Sequence, residues 1–224
     1  MNIPVLIRDS TEPQANLAYE EALFHSLRVA PEPTCLFYVN DPCIVLGRGN
    51  VAEQWVHLTG AQADNVPVLR RFTGGGTVYH DRQVLNFSYI VPKSLLANPV
   101  QSPQILAGPQ KYIDFFRGVV IRALSRGGAG YSATGVSDVS LHGRKVSGNA
   151  QRIAANLVLH HGTLMLKCPL EAIERYLKVP PNRSGVPHAG FVTGLHEEGR
   201  LHELATLRGW LADEFERACR GSGA

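Results

Sequence analysis

Lysine is scarce in this chain of 224 residues: of its 22 basic residues only five, at positions 93, 111, 145, 167 and 178, are lysine. The basic residues are scattered, and the formal net charge is only +3, which excludes a nucleic-acid-binding face of clustered charge with interleaved aromatics. Cysteine is sparse too. Cys35, Cys43, Cys168 and Cys219 stand far apart with no Cys-x-x-Cys, so a disulfide framework is excluded and free thiols in a reducing compartment are expected. No apolar run is long enough to span a membrane, and Met1 to Asp9 has neither a basic start nor a signal-peptide core, so a cytoplasmic protein without membrane contact is expected. Internal repeats and low-complexity segments are absent as well.

What is present is an ordinary globular balance, 44% hydrophobic and 18% charged, with enough length for one substantial core. Gln14 to Val29 reads as an amphipathic helix, with Leu17, Phe24 and Leu27 at helical spacing and Pro31 and Pro33 as its stop. Ile113, Phe116, Val120 and Leu124 predict a helix over 110–125, and Leu204, Leu207, Leu211 and Phe215 one over 201–218. Shorter helices are expected within 51–60 and 169–177. Strand candidates are 3–8, 34–39, 43–47, 66–71, 77–80, 85–91, 136–141, 144–148 and 157–167. Residues 92–110 read as a surface excursion and 180–190 as a loop. Strictly alternating βαβ order is missing. The expected fold is therefore α/β of the α+β type: a mixed, largely antiparallel sheet covered by helices, in one domain over 1–224.

Two stretches carry dense chemistry. In the first, Arg70-Arg71-Phe72-Thr73-Gly74-Gly75-Gly76-Thr77-Val78-Tyr79-His80-Asp81 joins two strand candidates. Three glycines permit positive φ, and the exposed N–H groups of such a loop, beside two arginines, suit a phosphate or carboxylate. A tight hairpin with two solvated arginines is the plainer reading, and neither the phosphate-loop nor the dinucleotide pattern is matched. The second stretch, Ser137 to Arg152, contains Asp138, Lys145, Ser147 and Gly148. Strand alternation would put Lys145 and Ser147 on one face. On pattern alone Lys145 reads as a solvated edge charge. Asp138 fits either a turn or one carboxylate of a Mg2+ site. His160 and His161, lacking further ligands at zinc spacing, read as hydrogen-bonded residues at a sheet edge.

Together with Asn86-Phe87-Ser88 and His160-His161-Gly162-Thr163-Leu164-Met165-Leu166, these two stretches closely resemble the lipoate–protein ligase A family of the biotin/lipoate ligase superfamily. The resemblance runs from about residue 15 to 195. It implies a class II biotin/lipoate ligase-like catalytic domain that uses ATP and Mg2+ to convert lipoate to lipoyl-adenylate. The lipoyl group then passes to a lysine of a lipoyl-carrier domain or a glycine cleavage H-like protein. It implies Lys145 as the catalytic residue and Asp138 toward the nucleotide or its Mg2+. Arg70, Arg71, Thr73, Gly74, Gly75, Gly76, His80, Asn86, Ser147, Gly148, His161, Gly162 and Thr163 are implied to bind the acyl-adenylate. Departures from the family pattern are Gln83-Val84 where Gly-Asn is usual, Asn149 for a serine, and Ser137 for an asparagine. The accessory C-terminal domain common in the family is not expected here, and a separate polypeptide could supply it. An octanoyltransferase, which needs a reactive cysteine, and a non-catalytic acyl-binding relative are the alternatives.

Overall fold

The computed structural model describes residues 2–96, 108–180 and 185–221. In chain order these form β1 (Val5–Ile7), α1 (Pro13–Leu27), β2 (Thr34–Val39), β3 (Cys43–Leu46), α2 (Ala52–Trp55), α3 (Leu58–Ala63), β4 (Val68–Arg70), β5 (Val78–His80) and β6 (Val84–Pro92). There follow α4 (Lys93–Leu96), α5 (Gln110–Ser125), β7 (Tyr131–Thr134), β8 (Asp138–Leu141), β9 (Arg144–Ile153), β10 (Leu157–Met165), α6 (Leu170–Tyr176) and α7 (Leu204–Arg220). Most of the 92–110 excursion and part of the 180–190 loop lie outside the described residues.

Seven strands make one sheet in the order β1-β2-β6-β10-β9-β8-β7, antiparallel except for β1 against β2. Alternation along β6 explains how it is used. Leu85, Phe87, Tyr89 and Val91 point into the main core beneath α5 and α7, where Phe116, Val120, Leu124, Leu207, Leu211 and Phe215 meet them. The opposite face receives α1, with Phe24 and Leu27 against Ile90, Leu157 and Leu159. Between those layers Asn86, Ser88, His161 and Thr163 are polar residues on interior strands, so that face is built for more than packing.

The structure corrects the expected hairpin around the glycines. β4 and β5 do not pair with each other; β3 lies between them, parallel to β4 and antiparallel to β5. The glycine segment is therefore a crossing loop over the end of β3. β7 was not anticipated, since Tyr131 to Thr134 lacks an apolar alternation. β9 runs on to Ile153, beyond its expected end, and carries a bulge: Ser140 pairs Lys145 while Val139 pairs Ser147. The turn before it has His142 at φ 51° and Gly143 at φ 83°, both left-handed, as a two-residue hairpin turn requires. β10 lies between β6 and β9, so His160 and His161 are central and buried, not edge residues.

Candidate active site

Strand register assembles the site. Tyr38 of β2, Asn86 of β6, Thr163 of β10 and Gly148 of β9 stand side by side across four strands. All four line a cavity of about 260 Å³. Leu17 of α1, Val45 of β3 and Val78 and His80 of β5 supply wall on the β2 side, while Asp138 of β8 and Lys145 of β9 supply it on the other.

Lys145 turns into this cavity because of the bulge. The extra residue, Val146, drops into the core, and Lys145 shares its face with Gly148 rather than with Ser147. Its Nζ lies 2.8 Å from Asp138 Oδ1. The ammonium occupies the space above Gly148: a Cβ there would come within 2.7 Å of Nζ. Main-chain bonds hold the strand independently, with Lys145 N donating to Phe191 O at 2.8 Å and Lys145 O accepting from Thr193 N at 2.9 Å. Ser147, on the opposite face, is fully buried beside Asn149 and does not line the cavity.

The two arginines divide their work. Arg70 does not line the cavity; its Nη1 clasps the carbonyls of Gly47, Arg48 and Asn50 at 3.0, 3.1 and 2.7 Å. Arg71 does line it, yet its donors serve the glycine loop: Nη2 binds Gly74 O and Gly76 O at 2.7 Å each, and Nε binds Thr73 Oγ1 at 3.0 Å. Burial lowers its pKa to about 10, with Glu20 opposing, so it stays charged at neutral pH. The carbonyls of the loop thus face inward. Its three glycines are exposed and, among the described residues, their N–H groups donate no hydrogen bond, which leaves backbone donors of the kind that suit an anion. Only Gly75, at φ 90°, needs glycine for its conformation; of the three, only Gly76 touches the cavity.

A residue the sequence reasoning missed anchors this loop to the sheet. Glu20 of α1 is fully buried, and both its oxygens accept from His161 Nδ1 at 3.0 Å. Ser88 also donates to it. His161 Nε2 then lies 2.8 Å from Thr73 Oγ1, and Thr73 Oγ1 accepts from Arg71 Nε. Burial alone would raise the Glu20 pKa, but the charge and hydrogen bond of His161, with Ser88 and Arg71, bring it below its usual value. The signal lay in the helical stripe, where Leu17, Glu20, Phe24 and Leu27 place a carboxylate in an apolar row.

Gln83 and Val84, the break in the family pattern, do not line the cavity. Gln83 sits in a turn where its N–H donates to Asp81 Oδ1 at 2.8 Å, and Val84 enters the core. Asn149 does line the cavity and donates to Ser137 O at 2.8 Å, while its Oδ1 accepts from His160 Nε2 at 3.2 Å. Ala150, His161 and Gly162 complete that wall.

Burial also drives the pKa of His80 and of His160 down to about 3 in each case. Both stay neutral in the fold, whereas the unfolded chain takes up a proton on each ring below about pH 6.5. The unfolded state therefore binds more protons between about pH 6.5 and 3, and stability falls through that window by up to about 1.4 kcal/mol per pH unit for each ring. Thermal melts at pH 7.5, 6 and 5 should show this decline, and His160→Leu should reduce its slope. A melting temperature that holds level from pH 7 to 5 would contradict it.

The model of the lipoyl protein ligase A/B catalytic domain matches residues 12–216. The chain belongs to that family. A relative in Staphylococcus aureus named lipoate–protein ligase 1 is 36% identical over 171 residues, which are 76% of this chain and 48% of the relative. The chain spans about half the length of the curated relatives it matches. Solved structures agree on the fold. A bipartite lipoate protein ligase from Thermoplasma acidophilum, described with its E2 lipoyl domain, superposes with a TM-score of 0.83 at 23% identity, covering 98% of this chain and 84% of that one. A lipoate–protein ligase A bound with ATP gives 0.80 at 23% identity, covering 98% and 86%. In this lipoyl ligase-family chain the cavity bounded by Lys145, Asp138 and the glycine loop is the candidate active site.

Proposed function

We propose that this chain activates lipoate with ATP and transfers the lipoyl group to a lysine of a carrier domain. The observation that carries the reading is the Lys145–Asp138 pair at 2.8 Å on the wall of a cavity whose other side includes Leu17, Val45 and Val78 and which the exposed glycine loop meets at Gly76. One place thus offers a cation for a carboxylate, backbone donors for phosphates and a lining for an acyl chain. In the first step a carboxylate oxygen of lipoate attacks the α-phosphorus of ATP and pyrophosphate leaves. Lys145 neutralises charge where the two anions meet, and the loop N–H groups hold the departing phosphates. In the second step the carrier amine attacks the acyl carbonyl, AMP leaves, and the amine proton passes to solvent. Lys145 serves again by stabilising the carbonyl oxygen as it gains charge.

Asp138 is the single carboxylate among the described residues lining the cavity. That matches Mg2+ carried on a nucleotide, which takes one or two protein carboxylates and completes its shell with phosphate oxygens and water. Mg2+ would supply charge neutralisation of the triphosphate. The relatives support the substrates proposed: lipoate–protein ligases lead the similar sequences, one solved relative is bound with ATP, and another is described with an E2 lipoyl domain. A lipoyl domain is accordingly the proposed partner, with an H-like protein or a separate accessory polypeptide as further candidates.

The transferase alternative needs a reactive thiolate. Burial raises the pKa of Cys35 well above normal, of Cys43 and Cys219 to about 12, and of Cys168 to about 11, and none of the four lines the cavity. The test is lipoate-dependent pyrophosphate release from ATP, run beside acyl transfer from an octanoyl-carrier thioester. Release of pyrophosphate supports the ligase. Thioester transfer without it would establish the transferase instead.

A further inference from the structure

Asn16 and Asn40 are buried completely, yet neither touches the Lys145 side of the site. Their orientations follow from main-chain carbonyls. Asn16 Nδ2 donates to Ser10 O at 2.8 Å and Val39 O at 3.2 Å, so its Oδ1 is the acceptor for Arg8 Nε at 3.2 Å. Asn16 Nδ2 also lies 2.9 Å from Asn40 Oδ1, which leaves Asn40 Nδ2 facing His80 Nδ1 at 3.0 Å. An amide nitrogen can only donate. His80 Nδ1 therefore carries the lone pair, and the neutral ring bears its proton on Nε2.

That Nε2–H has no partner among the described residues, although the ring is 3% exposed and lines the cavity. The ring is neutral at every working pH, because burial and the nearby Arg71 and His161 push its pKa down to about 3. On this side of the cavity Leu17, Val45 and Val78 supply apolar wall, with the Tyr38 hydroxyl among them and Arg71 and His161 nearby. Tyr38 on β2 and Gly148 on β9 are three strand spacings apart, about 14 Å. The donor thus stands at the far side of the cavity from Lys145, a separation that suits the two ends of a medium-length acyl chain.

We propose that His80 is a specificity-determining residue whose Nε2–H bonds the distal end of the acyl chain, selecting an acid that carries a sulfur or oxygen acceptor there over a plain alkyl acid. Arg8, Asn16 and Asn40 are positioning residues that hold the tautomer. The inference rests on the reading of the cavity as an acyl pocket. Its physical basis is asymmetric: an alkyl tail leaves a buried donor unpaired, whereas a dithiolane sulfur, though a weak acceptor, satisfies it.

The experiment compares lipoate and octanoate binding to the full chain by calorimetry without ATP. The wild type should prefer lipoate by about fivefold or more, and His80→Phe should bring the ratio close to one. Spectra of the unliganded protein labelled with 15N-histidine should show His80 protonated on Nε2 alone from pH 5.5 to 8. In Asn40→Asp the carboxylate accepts from Nδ1, so that pattern should be lost and the ring should titrate within this range. An unchanged ratio in His80→Phe, or an Nδ1–H ring in the wild type, would overturn the inference while leaving the acyl pocket standing. Failure of the wild type to bind either acid would remove the pocket reading and the inference with it.

Discussion

Lys145→Ala is expected to lower the rate of lipoate-dependent pyrophosphate release by about 10²–10³-fold, the usual cost of deleting one preorganised electrostatic group. The loss should be chemical rather than structural. The side chain contributes one ion pair with Asp138, while the strand is held by main-chain bonds to Phe191 and Thr193 that alanine retains. Melting temperature should therefore stay within a few degrees. Lys145→Arg should not rescue, because Nζ sits above Gly148 in space where a Cβ would approach within 2.7 Å, and a planar guanidinium is larger than the ammonium it replaces. Activity within tenfold of wild type in the alanine variant would take Lys145 out of the reaction.

Gly47→Ala should cripple the site from outside it. A Cβ at Gly47 would lie 2.1 Å from Gly75 O and 3.0 Å from Gly75 C, both backbone atoms that cannot rotate aside. The glycine loop must lift, and with it the carbonyls of Gly74 and Gly76 that Arg71 pins. A displacement on the order of 1 Å in a positioned group costs about 10²-fold in rate, and overpacking of this kind costs about 1–3 kcal/mol in stability. Gly49, in the same turn, has nothing within 4 Å of its added Cβ, so Gly49→Ala should behave as wild type in both respects. Pyrophosphate release and urea unfolding of the pair decide the matter: equal behaviour of the two variants would mean that the loop does not depend on its seat against Gly47.

The elements most legible in the sequence were those governed by local periodicity. The stripe of Phe116, Val120 and Leu124 gave α5 its observed bounds, and the β-rich run bounded by Pro33 and Asn40 gave β2 its bounds. What was not legible depended on partners distant in sequence. Nothing local to residues 66–80 says that β3 will lie between β4 and β5, so the glycine segment read as a hairpin. Nothing within 144–148 announces a bulge, so alternation assigned Lys145 the wrong companion. His160 and His161 read as edge residues because β9 is the hairpin neighbour of β10, while β6, which covers its other side, comes from far earlier in the chain. The motif residues were legible as a resemblance. Their division of labour was not: Arg70 and Arg71 are neighbours in sequence, yet one clasps the 47–50 turn and the other the glycine loop. Glu20 was readable in principle, as a carboxylate within an apolar stripe.

The central claim is that the cavity beside Lys145 forms and shelters an acyl-adenylate. The most direct measurement is to mix the chain with lipoate, ATP and Mg2+, pass it rapidly through a desalting column, quench the protein fraction and identify the bound small molecule by mass spectrometry. The account predicts lipoyl-adenylate at close to one equivalent per chain in the wild type and none with Lys145→Ala. Recovery of lipoate and ATP unreacted from a correctly folded wild-type chain would contradict it.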